Sequence, residues 1–93
     1  MFYVYVIKND KNRNYVGHTN NIERRIHEHN GGLSPYTKNR GPWRLFYLEE
    51  YFTRSEAMKR EAFFKSGIGR RYLKEKEVEK ELELVEQHYR DDG

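Results

Sequence analysis

Apolar residues are concentrated in three short runs, separated by segments of helical character. The first run, FYVYVI at residues 2–7, is aromatic and β-branched and precedes a polar KNDKN segment, which predicts a strand ending in a turn. A second strand is predicted around residues 14–17 (NYVG), pairing with the first as a hairpin. The third run, WRLFYLEEY at residues 43–51, alternates only partly, but its aromatic and aliphatic density predicts a third strand. Such continuously apolar strands indicate a sheet covered on both faces.

The first predicted helix follows the hairpin directly and has both a start and a stop signal. Asn20, with Glu23 three residues later, has the pattern of an N-cap and N3 pair that satisfies free backbone donors reciprocally. The helix is expected to run to about Asn30 and to stop at Gly31-Gly32, with Gly31 in the left-handed C-terminal position. Its inward apolar face is formed by Ile22 and Ile26.

Two further helices are predicted after the third strand. Thr53 and Glu56 form another capping pattern, which predicts a helix through about Lys65. The SGIG segment at residues 66–69 is expected to end it, since glycine is a poor helix former. From residue 70 to about 89 the chain is dense in lysine and glutamate, a helical composition, and the last three residues are expected to be frayed. A narrow apolar stripe on this last helix consists of Val78, Leu82, Val85 and Tyr89.

The length of 93 residues is enough for one small domain. The predicted fold class is α+β, a three-stranded antiparallel sheet flanked by helices, with residues 1–69 as the main unit and 70–93 as a charged helix and tail. The absence of cysteine excludes a disulfide framework and a thiolate zinc site. No apolar run approaches the roughly 18 to 20 residues of a membrane span. Because the N-terminus is also a strand without a basic leader, a cytoplasmic protein is expected.

Charge is distributed unevenly along the chain. Residues 1–69 carry twelve Lys/Arg and seven Asp/Glu, a net charge of +5, whereas residues 70–93 carry six and eight, a net charge of −2. A positive field over a compact domain favours a polyanionic partner such as nucleic acid. Solubility alone is the competing explanation.

The loop predicted between the first helix and the third strand, LSPYTKNRGP at residues 33–42, places cations beside an aromatic side chain. Lys38 and Arg40 follow Tyr36 closely, a combination suited to phosphate contact and base stacking. An ordinary solvated loop is the equally open alternative.

Two tyrosines and two potentially cationic side chains are expected to converge near the hairpin. Arg25 and His29 lie one turn apart on the first helix, next to its apolar face. The hairpin contributes Tyr5 and Tyr15 from its two strands.

Glu61 interrupts the apolar face of the second predicted helix. It stands between Ala57 and Phe64 at i, i+4 and i+7 spacing. A carboxylate in that position is costly without a partner, because desolvation disfavours its ionised form. From the residues alone, an ion pair with an arginine or a position at the edge of the core explains it.

The order and spacing of these residues resemble the GIY-YIG nuclease family. Tyr-Val-Tyr at residues 3–5 is followed by Tyr-Val-Gly at residues 15–17, with the second tyrosine ten residues after Tyr5. Arg25 follows eight residues beyond the glycine, and His29 one turn later. The similarity covers roughly residues 2–68 and is closest to the small stand-alone bacterial members.

The resemblance implies a metal-dependent endonuclease that hydrolyses phosphodiester bonds in DNA, with RNA left open. In the family a glutamate on the helix after the third strand binds the metal, and Glu61 matches it, with Mg²⁺ or Mn²⁺ as the ion. Arg25 would hold the non-bridging phosphate oxygens with its planar fork. Tyr5 or Tyr15 would accept or relay a proton from the attacking water.

A tyrosine of ordinary pKa, about 10, is a poor base at neutral pH, so nearby cations are expected to favour the phenolate if a tyrosine acts as the base. His29 would share that role or hydrogen-bond the phosphate. The residues assigned to nucleic-acid contact are Gly17, Arg24, Lys38 and Arg40.

Two departures from the family pattern leave other interpretations open. Tyr3 stands where the family name has glycine, and no asparagine occurs after Asn39, although many catalytic members carry one beyond the metal-binding helix. A nucleic-acid-binding module with little or no catalysis is therefore the second hypothesis, and tyrosines serving only as core residues beside an ion-paired Glu61 are the third. A monomer, or a weak homodimer through the last helix, is expected.

Overall fold

The structure is a computed structural model that describes residues 1–91, with side chains described through residue 86. The chain forms, in order, β1 (Phe2–Asn9), β2 (Asn14–Thr19), α1 (Ile22–Asn30), β3 (Trp43–Tyr51), α2 (Arg54–Lys65) and α3 (Gly67–Asp91). The three strands make one antiparallel sheet. The predicted α+β fold class is confirmed, and the bounds predicted for β3 match those observed.

Strand β1 is the centre of the sheet, with β2 on one side and β3 on the other. Val4, Val6 and Ile7 are completely buried, which explains the unbroken apolar run in the sequence. Strand β3 is an edge strand, and several of its side chains are exposed. The register between β1 and β3 shifts after Val6, which indicates a bulge at that point.

One face of the sheet packs on α1. Because alternate residues of a strand point to opposite faces, every second residue of β1 contributes to this face. The core on this face contains Tyr5, Ile7 and Trp43. Partly buried residues that pack against it are Tyr15, Ile22 and Ile26. The inward orientation predicted for the two isoleucines is therefore confirmed.

Helix α1 has its N-cap at Asn21, so the predicted N-cap at Asn20 is wrong by one residue. The Asn21 side-chain oxygen accepts a hydrogen bond from the backbone N–H of Arg24 at 3.1 Å. Thr19 fixes this cap, since its hydroxyl accepts a hydrogen bond from the Asn21 backbone N–H at 3.1 Å. Glu23 consequently lies one position too early to complete a capping box.

Helix α1 ends at Asn30 as predicted, but its left-handed residue lies one position later than the predicted Gly31. Gly31 is in the right-handed region (φ −83°), and Gly32 takes the left-handed conformation (φ +77°). The backbone N–H of Leu33 donates to the carbonyl of Glu28 at 3.0 Å. This is the hydrogen bond of a Schellman motif, in which the residue after the cap is the left-handed one.

The turn between β1 and β2 is organised by Asn9, whose side chain is buried. Its Oδ1 accepts hydrogen bonds from the backbone N–H groups of Lys11 (3.1 Å) and Arg13 (2.9 Å). Its Nδ2 donates to the carbonyl oxygen of Arg40 at 2.9 Å. One asparagine therefore shapes the hairpin turn and ties it to the loop before β3.

Helix α2 begins as the sequence predicts. The Thr53 hydroxyl accepts a hydrogen bond from the Glu56 backbone N–H at 3.2 Å and donates to the Glu56 carboxylate at 2.9 Å. Arg60 of this helix donates two hydrogen bonds to the Glu49 carboxylate of β3, at 2.8 and 3.1 Å. A paired arginine and carboxylate thus attach α2 to the sheet.

Helix α3 begins at Gly67, so the predicted start at residue 70 is wrong. Ser66 forms its N-terminal cap, because the Ser66 hydroxyl accepts a hydrogen bond from the Gly69 backbone N–H at 3.2 Å. Gly69 is buried, and a Cβ added there would lie 1.9 Å from the carbonyl oxygen of Phe63. Helix α2 ends at Lys65, as predicted, and Gly69 lies within α3, where it permits close packing at the corner between the two helices.

The chain divides into two compact units, Met1–Ala62 and a second that begins at Phe63. The predicted limit at residue 69 stays a prediction. In the second unit the rings of Phe63, Phe64 and Tyr72 contact one another. The stripe residues Val78, Leu82 and Val85 are exposed, whereas the side chain of Tyr89 and the expected fraying at residues 92–93 lie outside the described residues. Among the described residues, none of the helices is both long and apolar enough to cross a membrane.

The two glycines of the α2–α3 corner provide a matched test of this packing. Gly69→Ala is expected to lower the free energy of unfolding by about 2 kcal/mol or more, because its methyl group meets backbone atoms that have no room to move. Gly67→Ala is the control: nothing lies within 4 Å of its added Cβ, and alanine favours the helix by up to about 1 kcal/mol. Urea unfolding measures both, and equal stabilities would contradict the packing described for Gly69.

Candidate active site

Tyr5 lies at the centre of a polar cluster between the sheet and α1. Its side chain is 1 % exposed, and its hydroxyl is 2.8 Å from Nε2 of His29. The same oxygen accepts a hydrogen bond from Nε of Arg25 at 3.2 Å. The arginine and histidine predicted to lie one turn apart on α1 therefore meet on one phenol oxygen of β1.

Gly17 makes room for this arrangement. It pairs with Tyr5 across β1 and β2, and the tyrosine ring lies over it. A Cβ added at Gly17 would be 2.5 Å from the Tyr5 hydroxyl oxygen and 2.7 Å from the ring carbon that carries it. The group that approaches this glycine closely is Tyr5. Its assignment to nucleic-acid contact stays a prediction.

The second nitrogen of His29 also has a partner inside the protein. Nδ1 lies 2.7 Å from the hydroxyl of Thr37, which is completely buried in the loop before β3. Because Arg25 donates to the Tyr5 oxygen, the phenol proton is directed at Nε2 of His29. The imidazole proton then resides on Nδ1 and faces Thr37.

Burial sets the protonation of this cluster. Burial raises the pKa of Tyr5 to about 12, although the hydrogen bond and positive charge of Arg25 act in the opposite direction. Burial, assisted by the positive charge of Arg25, lowers the pKa of His29 to about 4. The phenol is therefore protonated and the imidazole neutral at pH 7. The expected lowering of a tyrosine pKa by nearby cations does not occur at Tyr5, because desolvation outweighs the charge of one arginine.

Tyr15 occupies the more open side of the cluster. Its half-buried ring contacts the rings of His29 and Tyr5, with centroid separations of 4.9 and 6.4 Å. On its other side lies Tyr36, 5.5 Å away and 64 % exposed. The guanidinium carbon of Arg40 stands 5.4 Å from the centroid of the Tyr36 ring. A row of aromatic rings thus runs from buried His29 to the surface and ends at a cation.

Glu61 lies on α2, beside β2. Its Oε1 is 3.4 Å from Nδ1 of His18, and the two side chains are 22 and 20 % exposed. The negative charge of Glu61 also raises the pKa of Tyr5 slightly, which indicates that the carboxylate is within electrostatic range of the phenol. The stripe predicted around it is present, since Ala57 and Phe64 are buried.

The donor set around Glu61 fits a partly hydrated divalent ion. Among the residues whose side chains the structure describes, no three histidine or carboxylate side chains cluster to form a closed metal cage. Mg²⁺ is commonly bound by one or two carboxylates and keeps water in its remaining positions. A single, partly exposed carboxylate such as Glu61 meets that requirement.

The structure separates the predicted site residues into two groups. Those brought into the central cluster are Tyr5, Tyr15, Arg25 and His29. Two of the residues predicted to contact phosphate, Arg24 on α1 and Lys38 in the loop before β3, are exposed. The Arg24 guanidinium donates a hydrogen bond to the Asn20 side chain at 3.3 Å. The roles of all these residues stay predictions.

Two residues of the site were missed from the sequence. Thr37 was treated only as part of a loop, and no local pattern distinguishes its hydroxyl from that of other loop residues. His18, the partner of Glu61, follows Gly17 directly. Its position directly after a strand predicted to pair beside the site was the one available signal.

The buried imidazole predicts a pH dependence of stability. The unfolded chain takes up a proton at His29 near pH 6.5, whereas the folded protein does so only near pH 4. The unfolded state therefore binds more protons in this window, and the His29 contribution, complete above pH 6.5, is lost as the pH falls toward 4. The loss is about 2 kcal/mol between pH 7 and pH 5.

Urea unfolding at these two pH values measures the effect. His29→Gln is expected to remove the pH-dependent part, whatever its stability at pH 7. His27→Gln, an exposed position on the same helix, is the control and should retain it. Equal losses between pH 7 and pH 5 for wild type and His29→Gln would contradict a buried neutral imidazole.

Comparison with known proteins extends these observations. Residues 1–77 match the GIY-YIG catalytic domain. A UPF0213 protein of Clostridium perfringens is 39% identical over 93 residues, covering 90% of this chain and 100% of the relative. A UPF0213 protein of Staphylococcus haemolyticus is 44% identical over 73 residues, covering 77% and 89%. The solution NMR structure of a UPF0213 protein from Bacillus halodurans is 34% identical, covers 78% of this chain and 82% of that one, and has a TM-score of 0.49.

The matched region contains the whole of the tyrosine cluster and Glu61. The resemblance indicated by the motif spacing is confirmed: this chain belongs to the GIY-YIG family, and small bacterial UPF0213 proteins are among its relatives.

Proposed function

We propose that this protein is a divalent-metal-dependent endonuclease that hydrolyses phosphodiester bonds in DNA. The observation that carries the proposal is the convergence of Arg25, His29 and Tyr15 around the buried hydroxyl of Tyr5. Phosphodiester hydrolysis requires a positioned water, stabilisation of charge at phosphorus and help for the leaving oxygen. The cluster and Glu61 contain a group suited to each requirement.

Arg25 is the residue suited to the phosphate. Its Nε is held by Tyr5 and one terminal nitrogen donates to Glu28 at 3.4 Å, which fixes the plane of the guanidinium. Arginine has five N–H donors, so about three remain for the non-bridging oxygens of a phosphate. The side chain is 29 % exposed and is thus reachable by substrate. A preoriented planar fork loses little entropy when it binds a phosphate.

The two tyrosines differ in the work for which they are suited. Tyr5, sealed and protonated at neutral pH, positions Arg25 and does not serve as a base. We assign to Tyr15 the role of accepting or relaying a proton from the attacking water. Its ring is only half-buried and lies at the edge of the cluster. His29 keeps Tyr5 in place through a neutral ring.

Glu61 would hold the metal through its one carboxylate, with water and phosphate oxygens completing the shell. When bound, Mg²⁺ or Mn²⁺ supplies charge stabilisation for the phosphate and the leaving oxygen. The protein's own part is to present a partly buried carboxylate, whose motion the contact with His18 helps to limit.

The basic unit around the cluster suits a polyanionic substrate in the cytoplasm, where the protein is expected to act as a monomer or as a weak homodimer through α3. Arg24, Lys38 and Arg40 are exposed and would contact phosphates independently of base sequence. RNA has the same backbone charge, so the choice of DNA comes from the family analogy.

A nucleic-acid-binding module without appreciable catalysis is the second candidate. The observation that favours it is the raised pKa of Tyr5, which removes one of the two candidate bases, together with the lack of asparagine after Asn39. The two candidates differ in their dependence on metal. An endonuclease nicks DNA in Mg²⁺ or Mn²⁺ and stops with chelator, whereas a binding module responds to neither.

Glu61→Gln tests the metal-binding role. Plasmid nicking is expected to fall by at least about a hundredfold, because the charge that attracts the cation is gone while the shape is kept. DNA binding in chelator should hold or tighten, since one negative charge is lost. Stability should change by less than about 1 kcal/mol, because the pair with His18 is partly exposed.

Glu50→Gln, an exposed carboxylate on β3, is the matched control and should nick normally. Undiminished metal-dependent nicking by Glu61→Gln would exclude Glu61 as the ligand. A loss of several kcal/mol in thermal or urea unfolding would instead identify Glu61 as a structural ion-pair partner.

Substitution of each tyrosine by phenylalanine separates the two assigned roles. Tyr15→Phe keeps the ring and is expected to lower nicking by about a hundredfold or more, with stability within about 0.5 kcal/mol of wild type. Tyr5→Phe leaves His29 without a partner for Nε2 and should lower the free energy of unfolding by about 1 to 3 kcal/mol. Nicking assays and urea unfolding on both variants measure the split. Wild-type activity of Tyr15→Phe would refute the assignment of the water.

A further inference from the structure

A cleft of about 580 Å³ opens between the turn of the β1–β2 hairpin and the loop before β3. The chemistry proposed for the tyrosine cluster uses nothing from the hairpin turn. The residues that line this cleft, here named the hairpin cleft, include Asn9, Asp10, Lys11, Arg13, Asn39 and Arg40.

The hairpin cleft is strongly basic. Lys11, Arg13 and Arg40 are exposed around it, against the single carboxylate of Asp10. That carboxylate already lies 3.6 Å from Arg44, a further cation. Within the part of the chain whose side chains are described, the charged groups of Lys11 and Arg13 form no ion pair. Their charge is therefore available to an anion from solution.

The backbone that carries these cations is held in place. The buried Asn9 side chain accepts from the backbone N–H groups of Lys11 and Arg13 and donates to the carbonyl of Arg40. The two walls of the cleft are thus joined by one side chain that is 3 % exposed. Cations on a fixed backbone lose less conformational freedom when a ligand binds than cations on a flexible loop do.

The hairpin cleft is continuous with the candidate active site. Arg40 lines the cleft and also stands over the ring of Tyr36, which in turn contacts Tyr15. Each of these two steps is about 5.5 Å, so the cleft begins a short distance from the tyrosine to which the water is assigned. A nucleic-acid strand that passed from the cluster over Tyr36 would reach Arg40, which also lines the hairpin cleft.

We propose that the hairpin cleft binds the phosphodiester backbone of the nucleic-acid substrate, next to the phosphate that is cleaved. The proposal rests on the proposed function, because it places the scissile phosphate at the tyrosine cluster. A polynucleotide fits better than a single small anion, since its successive phosphates reach Arg40 on one wall and Lys11 and Arg13 on the other. These contacts are to phosphate and carry no base specificity.

The test removes the two cations of the hairpin turn. Binding of a fluorescein-labelled DNA duplex is measured by anisotropy in chelator, over a series of salt concentrations, for wild type and Lys11→Gln/Arg13→Gln. Loss of two phosphate contacts should reduce the magnitude of the log–log salt slope by roughly 1.8, at about 0.9 for each contact. Lys59→Gln/Lys74→Gln is the matched control, because it removes two positive charges from exposed positions outside the cleft.

A salt slope for the hairpin variant equal to that of wild type, or a reduction no greater than that of the control, would overturn the proposal. Plasmid nicking by wild type with Mg²⁺ tests the nuclease function separately. Suppose that wild type binds DNA with a steeper salt slope than the hairpin variant and yet fails to nick plasmid in Mg²⁺ or Mn²⁺. In that case phosphate binding by the hairpin cleft is supported and the nuclease proposal fails.

Discussion

The buried hydroxyl of Tyr5 is the constraint on which the candidate site depends. A phenol shut away from water must find hydrogen-bond partners inside the protein, and His29 and Arg25 are the groups that provide them. The ring reaches them only because position 17 has no side chain, so this contact joins β1, β2 and α1 in addition to their strand pairing and core packing. The hydrogen bond that satisfies the buried Tyr5 hydroxyl thus also orients Arg25, whose side chain is partly exposed.

The sequence predicts those parts of the fold that depend on local composition. Aromatic and β-branched runs identified all three strands, and the Thr53 capping pattern located the start of α2, because these signals act within a few residues. The spacing of the tyrosines, Arg25 and His29 identified the cluster. Thr37 could not be found in this way, since its role arises only when the loop folds back on α1.

The incorrect predictions concern neighbouring residues with similar propensity and effects that depend on tertiary packing. Asn20 and Asn21 have the same capping propensity, and the choice between them depends on the hydroxyl of Thr19. The start of α3 at Gly67, and not at residue 70, depends on Gly69, which permits close packing at a corner that no local pattern reveals. The protonation of Tyr5 likewise depends on how completely the fold excludes water, and counting nearby cations gave the wrong direction.

Thr37 divides the segment between α1 and β3 into two short spans. Its hydroxyl is hydrogen-bonded to Nδ1 of His29, and its carbonyl oxygen accepts a hydrogen bond from Nε1 of Trp43 at 3.1 Å. The closure entropy of each span is set by its own few residues and not by the length of the whole connection. Natural variation in loop length can therefore accumulate on either side of this residue independently, and Thr37 itself is the point that such insertions must leave in place.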